Sequence, residues 1–419
     1  MRRRIFLRLS AAGVGAGLLR VRAGPARAGD EAKVVIVGGG FAGAACALAL
    51  RRLNSAIEVS VVDPDDHYHT CPMSNSVLAG MRTLHSISVS RGGLERAGVR
   101  YVHDRVASID PQRRRARLAG GSSLSYDRLV MAPGIRFLWG KPEGYDEAAS
   151  ASMPHAWRAG RQTQILGAKL RSMPEGGVVA ISVPAGPMRC PPGPFERATL
   201  LAAYLKQAKP RSKVLIFDSN NHFPRQEAFM DAWQSLYPGM IEWIPVTEDG
   251  DVVRVEPREN ILHTTHGAHR VDVANVIPPQ APGLLAAQAG LASDHGWCPI
   301  RPLTFESTLI PHVHVIGDAC IADPMPKSAS AANAQARHCA AAICAHLEGR
   351  EPAPPELDSV CYSMLARGIA LSIHGRYELA GGAIRQLSNS DDAPSVRSAQ
   401  EAHNADRWYG KIVSDSFGA

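Results

Sequence analysis

Gly38, Gly40 and Gly43 form a G-x-G-x-x-G run, and Asp63 follows Gly43 by 20 residues. At the end of a strand, the first such glycine makes a tight turn, the second admits a pyrophosphate against the backbone, and the third lets helix and strand pack closely. The helix that follows offers free N–H groups and a partial positive charge to phosphate. Asp63 is placed to accept hydrogen bonds from an adenosine ribose. The other reactive inventory is sulfur: Cys46, Cys71, Cys190, Cys298, Cys320, Cys339, Cys344 and Cys361. No two of them stand as C-x-x-C, so neither a zinc site nor a haem-attachment site is indicated, and no metal is expected. Spacing alone does not say which of them bond.

These residues need particular elements around them. Val34, Val35, Ile36 and Val37 read as a short buried strand, the Ala-rich residues 44–53 as a helix, and residues 58–62 as a second strand ending in Asp63. Residues 65–75 read as a loop. Residues 99–118 alternate like meander strands, with a turn at Asp110-Pro111, and residues 127–134 read as a strand running into a turn. A second α/β unit follows, with strands at 177–183 and 213–218 around a helix at 195–206. Its first turn carries Pro184, Pro187, Pro191, Pro192 and Pro194 where glycines would be needed. Proline has no N–H and a fixed φ, so this turn cannot cradle a pyrophosphate, and a nicotinamide cofactor is not expected there. Residues 312–319 read as a strand ending in Gly317-Asp318, residues 329–347 as a long helix, and 350–356, with three prolines, as a linker.

Length and composition fit a globular protein of two or three domains, with 419 residues, 45% apolar and 20% charged. The net charge of +7 comes from residues 1–28, which hold seven arginines and no acid; the remainder has 39 basic and 39 acidic residues. Global charge therefore gives no support to a nucleic-acid partner. Arg3-Arg4-Ile5-Phe6-Leu7-Arg8, an Ala/Gly/Leu-rich stretch to Leu19 and Ala26-Arg27-Ala28 look like a twin-arginine export signal with its cleavage site. The expected location is a bacterial periplasm, where disulfides persist. The apolar stretch is too short to span a bilayer, and no transmembrane segment is expected.

Together, 33–43, 68–75, 190–197, 296–299, 317–327 and 408–418 make a pattern that resembles the flavoprotein subunit of flavocytochrome c sulfide dehydrogenase, over essentially the whole chain after residue 28. Cys190-Pro-Pro-Gly-Pro-Phe-Glu-Arg and Gly317-Asp-Ala-Cys-Ile-Ala-Asp-Pro-Met-Pro-Lys are its longest segments. The resemblance implies an α/β fold with two Rossmann-like dinucleotide-binding domains, glutathione-reductase-like, and a small α+β C-terminal domain. The expected bounds are 29–145 with 283–350 for FAD, 146–282 for the second domain and 356–419 for the third. It implies FAD bonded through its 8α carbon to the sulfur of Cys71, which a free thiol or a bridged cysteine would replace. Cys190 and Cys361 match a redox-active disulfide pair; the plain structural alternative is a staple. Glu196 matches an acid–base group beside them, or else a helix-start acid paired with Arg197. Asp318 would reach the ribityl chain and Lys327 the pyrimidine edge of the flavin, while Trp408 lies in an aromatic segment that approaches it. An exposed lysine and a core tryptophan are the alternatives for the last two. The implied reaction oxidises sulfide and passes electrons to a c-type cytochrome of one or two haems on a separate polypeptide, since this chain has no C-x-x-C-H. A sulfide:quinone oxidoreductase, an NADH-linked disulfide reductase and a non-catalytic flavin-bearing docking subunit are the alternatives.

Overall fold

The computed structural model describes residues 31–387 and 397–419; the twin-arginine stretch and Ser388–Asp392 lie outside them. Strand β1 (Lys33–Val37) is buried from Val34 to Val37, as an apolar strand covered on both faces must be. It pairs in parallel with β2 (Glu58–Asp63) on one side and with Arg128–Met131 on the other. These are the centre of an eight-stranded sheet in the order Cys320–Ile321, Cys298–Arg301, Glu306–Ser307, Val313–Val315, Arg128–Met131, β1, β2, Arg100–His103. The edge strand Arg100–His103 corrects the meander expectation, because it joins β2 in parallel. The antiparallel part begins only at Val106–Asp110 with Arg115–Leu118. Helix α1 (Phe41–Leu53) follows the glycine turn. The segment expected as loop is also more ordered. His67–His69 pairs antiparallel with Ser88–Ser90, and α2 (Ser74–Leu78) starts after Met73. A strand this short, with its partner well along the chain, leaves no local periodicity to read.

The second sheet is parallel throughout, in the order Ile241–Ile244, β4 (Lys213–Asp218), β3 (Val178–Val183), Val273–Val276. Helix α3 (Gly193–Ala208) links β3 to β4 and begins before Phe195, with Pro194 in its first turn. Proline there forfeits an N–H that has no partner within the helix anyway. The proline-rich turn before α3 is tied to the end of β4. Asn220 Nδ2 donates to the Pro184 carbonyl at 3.0 Å and to Asp218 at 2.8 Å, and Trp243 Nε1 donates to Asp218 at 3.0 Å.

Helix α4 (Ala329–Leu347) has the bounds its sequence predicts and is capped by the Ser328 hydroxyl, which accepts the Ala331 N–H. Its buried Ala332, Ala336, Cys339 and Ala340 pack against Ala42, Ala45, Cys46 and Ala49 of α1, small side chains that let the two helices approach closely. The C-terminal part is an antiparallel sheet of β5 (Leu357–Ala366), β6 (Ile369–Ala380) and Ala383–Gln386, with α5 (Ala399–Phe417) beside it. The architecture is therefore α/β, with two dinucleotide-type sheets and a small α+β C-terminal unit.

Candidate active site

The β1–α1 turn is a cradle that any side chain would fill. A Cβ on Gly43 would stand 1.9 Å from the Gly38 carbonyl oxygen, and one on Gly38 would stand 2.3 Å from that of Ala132, at a φ of +98°. No side chain caps the N-terminus of α1, so its donors are left for a phosphate. Gly40 faces the Tyr68 ring. Asp63 braces the turn, its Oδ2 accepting the Gly39 N–H at 2.7 Å and its Oδ1 the Arg91 guanidinium at 3.2 Å. Arg91, buried and also donating to the Gly39 carbonyl, is a cation that no motif in the sequence singles out. The turn thus fits the diphosphate of FAD, with Asp63 beside it.

Gly317-Asp318 stands at the end of Val313–Val315, with Gly317 in the left-handed region at φ +74° and its N–H on Gln335 at 2.8 Å. Burial pushes the Asp318 carboxyl up, and Arg189 and Lys327 pull it back. The Lys327 ammonium donates to the carbonyls of Asp318 and Cys320, both at 2.9 Å, and sits 3.8 Å above the Trp297 ring. It is thus neither an exposed loop lysine nor a free cation. Trp408 lies on α5, half-buried against Tyr362 at 5.7 Å between ring centroids. Its neighbour Tyr409 reaches the Cys71 loop, with its hydroxyl 2.8 Å from that of Thr70. Phe417 stacks on Tyr68 at 5.5 Å.

Cys71 Sγ contacts the Trp157 carbonyl at 3.7 Å, and the Arg189 guanidinium donates to that same carbonyl. Cys190 follows Arg189 and adopts φ +53°, a conformation that non-glycine residues rarely hold and that clusters at functional sites. Its N–H donates to the Lys327 carbonyl at 2.8 Å. Cys361, on β5, is in hydrogen-bond contact with the hydroxyls of Ser328 and Ser359. The two cysteines therefore flank the dipeptide Lys327-Ser328, although 171 positions separate them in the chain. All eight cysteines are free thiols in this structure, so the expected bridge is not formed here. Burial, then the charges of Cys361 and Glu196, push the Cys190 thiol up, and Arg189 counters them. Burial also raises Cys361, while its two hydroxyl partners favour the thiolate.

Glu196 lies in the first turn of α3. Its Oε2 accepts from Asn75 Nδ2 at 2.8 Å and its Oε1 accepts the Met364 N–H at 2.9 Å. Burial raises this carboxyl against both donors. The side-chain pair with Arg197 is not made. Arg197, 2% exposed, donates instead to Asn75 Oδ1, Asn275 Oδ1 and the carbonyls of His155 and Ala156. Asn75 thus joins the two side chains. The sequence missed Asn75, Trp157 and Arg189. Arg189 could have been suspected from its place beside Cys190, and Asn75 closes a segment that carried the resemblance; Trp157 had no signal. Among the described residues no cluster of His, Cys, Asp or Glu could hold a metal.

Comparison with known proteins bears on the same residues. The chain matches a family model described as the central part of the sulfide dehydrogenase [flavocytochrome c] flavoprotein chain over residues 163–278, and one described as flavocytochrome c sulphide dehydrogenase, flavin-binding, over 353–417. Residues 32–151 match the pyridine nucleotide-disulphide oxidoreductase model. The sulfide dehydrogenase [flavocytochrome c] flavoprotein chain of Chlorobaculum thiosulfatiphilum is 51% identical over 45 residues, 11% of this chain and 94% of that sequence. The mitochondrial sulfide:quinone oxidoreductase of Mus musculus is 25% identical over 358 residues, 80% of this chain and 76% of its own. The solved sulfide:quinone oxidoreductase of Aquifex aeolicus shares the fold at a TM-score of 0.70, with 17% identity and 93% of each chain covered. A glycine cradle that fits FAD, two cysteines flanking Lys327-Ser328 and these matches agree: the chain belongs to the flavoproteins of the flavocytochrome c sulfide dehydrogenase family.

Proposed function

We propose that this flavoprotein oxidises hydrosulfide at a Cys190–Cys361 disulfide beside FAD tethered to Cys71, and passes the electrons to a separate c-type cytochrome in a bacterial periplasm. The observation that carries this reading is the meeting of Cys190 and Cys361 on either side of Lys327-Ser328, with Glu196 acting on both. Hydrosulfide attacks the Cys190 sulfur and the disulfide breaks, leaving a persulfide on Cys190 and the bonding pair on Cys361 as a thiolate. Ser328 and Ser359 stabilise that thiolate with their hydroxyls. Glu196, buried and raised toward neutrality, takes or returns the proton. A second hydrosulfide takes the outer sulfur of the persulfide away as HSS⁻ and leaves the Cys190 thiol, whose proton is the one Glu196 handles; bound FAD would then supply the two-electron acceptor that lets the Cys190 and Cys361 sulfurs re-form their disulfide. The N-terminus of α1, Gly38, Gly40, Gly43 and Asp63 hold its adenosine diphosphate end, and Asp318 its ribityl chain.

The matching sulfide:quinone oxidoreductases support quinone as the alternative acceptor. Parallel assays with cytochrome c and with a soluble quinone separate the two, and sulfide-dependent reduction of cytochrome c is the expected result. Cys190→Ser and Cys361→Ser should each lower turnover by at least about a hundredfold, the scale on which loss of a covalent catalytic group acts. A docking subunit would be indifferent to either change. FAD that stays with acid-precipitated protein, and that Cys71→Ala releases, is the expected sign of the tether. Flavin free in the supernatant would refute it.

A further inference from the structure

Around Arg189, the residue before Cys190, the structure holds three donor groups that the steps above do not use. Trp157 is 5% exposed and its indole Nε1–H has no partner. Gln280 is 6% exposed; its Oε1 accepts the Arg189 backbone N–H at 2.9 Å and its Nε2 has no partner. Arg189 links the two, with its backbone on Gln280 and its guanidinium on the Trp157 carbonyl, beside Cys71 Sγ. The Cη2 edge of the Trp157 ring and the Cys190 sulfur both face Gly193. A Cβ built on Gly193 would stand 2.8 Å from Trp157 Cη2 and 3.0 Å from Cys190 Sγ.

A buried N–H without an acceptor costs free energy, and natural structures rarely keep one without a use. A guanidinium with neutral N–H groups beside it is a donor set for an anion. The charges facing Arg189 are those of Cys71, Asp318, Tyr68 and Cys190, and burial drives Asp318 toward its neutral form.

We infer that Arg189, with the unpartnered N–H groups of Trp157 and Gln280, receives the hydrosulfide anion and holds it for attack on the Cys190 sulfur. This rests on the sulfide-oxidising function proposed above. The anion keeps its proton through the step. HS⁻ and the disulfide give Cys190–S–SH and the Cys361 thiolate, with one negative charge on each side. Trp157 and Gln280 orient the incoming anion, and Arg189 offsets its charge until that charge moves to Cys361.

The test uses the FAD-loaded full chain with sulfide as substrate and cytochrome c as acceptor. Trp157→Phe keeps the ring and removes the N–H, Gln280→Leu removes the amide, and Arg189→Gln removes the charge. Each should raise KM for sulfide by about tenfold, with the larger effect on KM rather than kcat. Arg189→Lys should recover part of the loss. Iodoacetamide alkylation of reduced Cys190, followed against pH, gives a second readout. Arg189→Gln should move its midpoint upward, since the cation opposing Cys361, Glu196 and Cys71 is gone. Unchanged KM with an unchanged alkylation midpoint overturns the inference. So does loss or spectral shift of the bound FAD with KM intact, which would assign the donors to the flavin. A wild-type protein that does not turn over sulfide at all defeats the proposed function instead.

Discussion

Glu196 shows how one carboxyl is held between two demands. Burial favours its neutral form, while Asn75 and the Met364 N–H favour the charged one. A group held above the ordinary carboxylate range should give the pH profile of sulfide oxidation a limb, which Glu196→Gln should abolish. Asn75→Ala removes a donor to the carboxylate and should raise that limb by about one pH unit. A profile that overlays the wild type would show that Asn75 does not tune Glu196. The remaining charges near it, Cys190, Cys361 and Arg197, are unchanged in that variant. The resemblance offered Glu196 as an acid–base group or as a local pair with Arg197, but its actual partners, Asn75 and the Met364 N–H, were not legible in the sequence. The partners arrive from α2 and β5, brought by tertiary folding.

Among the elements, legibility follows locality. The β1–turn–α1–β2 unit and α4 could be read because glycine spacing, β-branched runs and alanine content sit within each segment. His67–His69 and Arg100–His103 could not, because their pairing depends on distant strands. The turn also carries a sharp prediction. In Gly43→Ala the new methyl would meet the Gly38 carbonyl at 1.9 Å, so strand and helix must part. The purified variant should retain under about a tenth of the wild-type FAD by absorbance at equal protein, since the shift displaces the phosphate donors as well. Full occupancy would mean that the cradle yields without loss.

Across the molecule, Arg197 fastens the second sheet to the Cys71 segment. Its guanidinium spans Asn75 on α2, Asn275 on the edge strand Val273–Val276, and the His155 and Ala156 carbonyls. Burial lowers it to about 10. Beside it His155 is held down to about 3 by burial and then by Arg197, Arg189 and Arg158, and its Nδ1 accepts the backbone N–H of Trp157. Because the folded state refuses a proton that the unfolded chain accepts below 6.5, stability should fall with pH from there down to about 3. The loss from this group is about 2 kcal/mol by pH 5. Chemical denaturation at pH 7 and pH 5 should show it, and His155→Gln should reduce the difference. An equal loss in that variant would place the acid sensitivity elsewhere.

The carboxylate of Asp218 is fully buried and already committed to Trp243 and Asn220, and Asn220 also ties down the proline turn. In a working nicotinamide fold, a strand-end acid like this one would greet the coenzyme's sugar. Here that acid is held by the protein's own side chains, so the far ends of β3, β4 and the proline turn are fastened to one another and the second sheet is stiffened at the end that leads into the Cys190 loop.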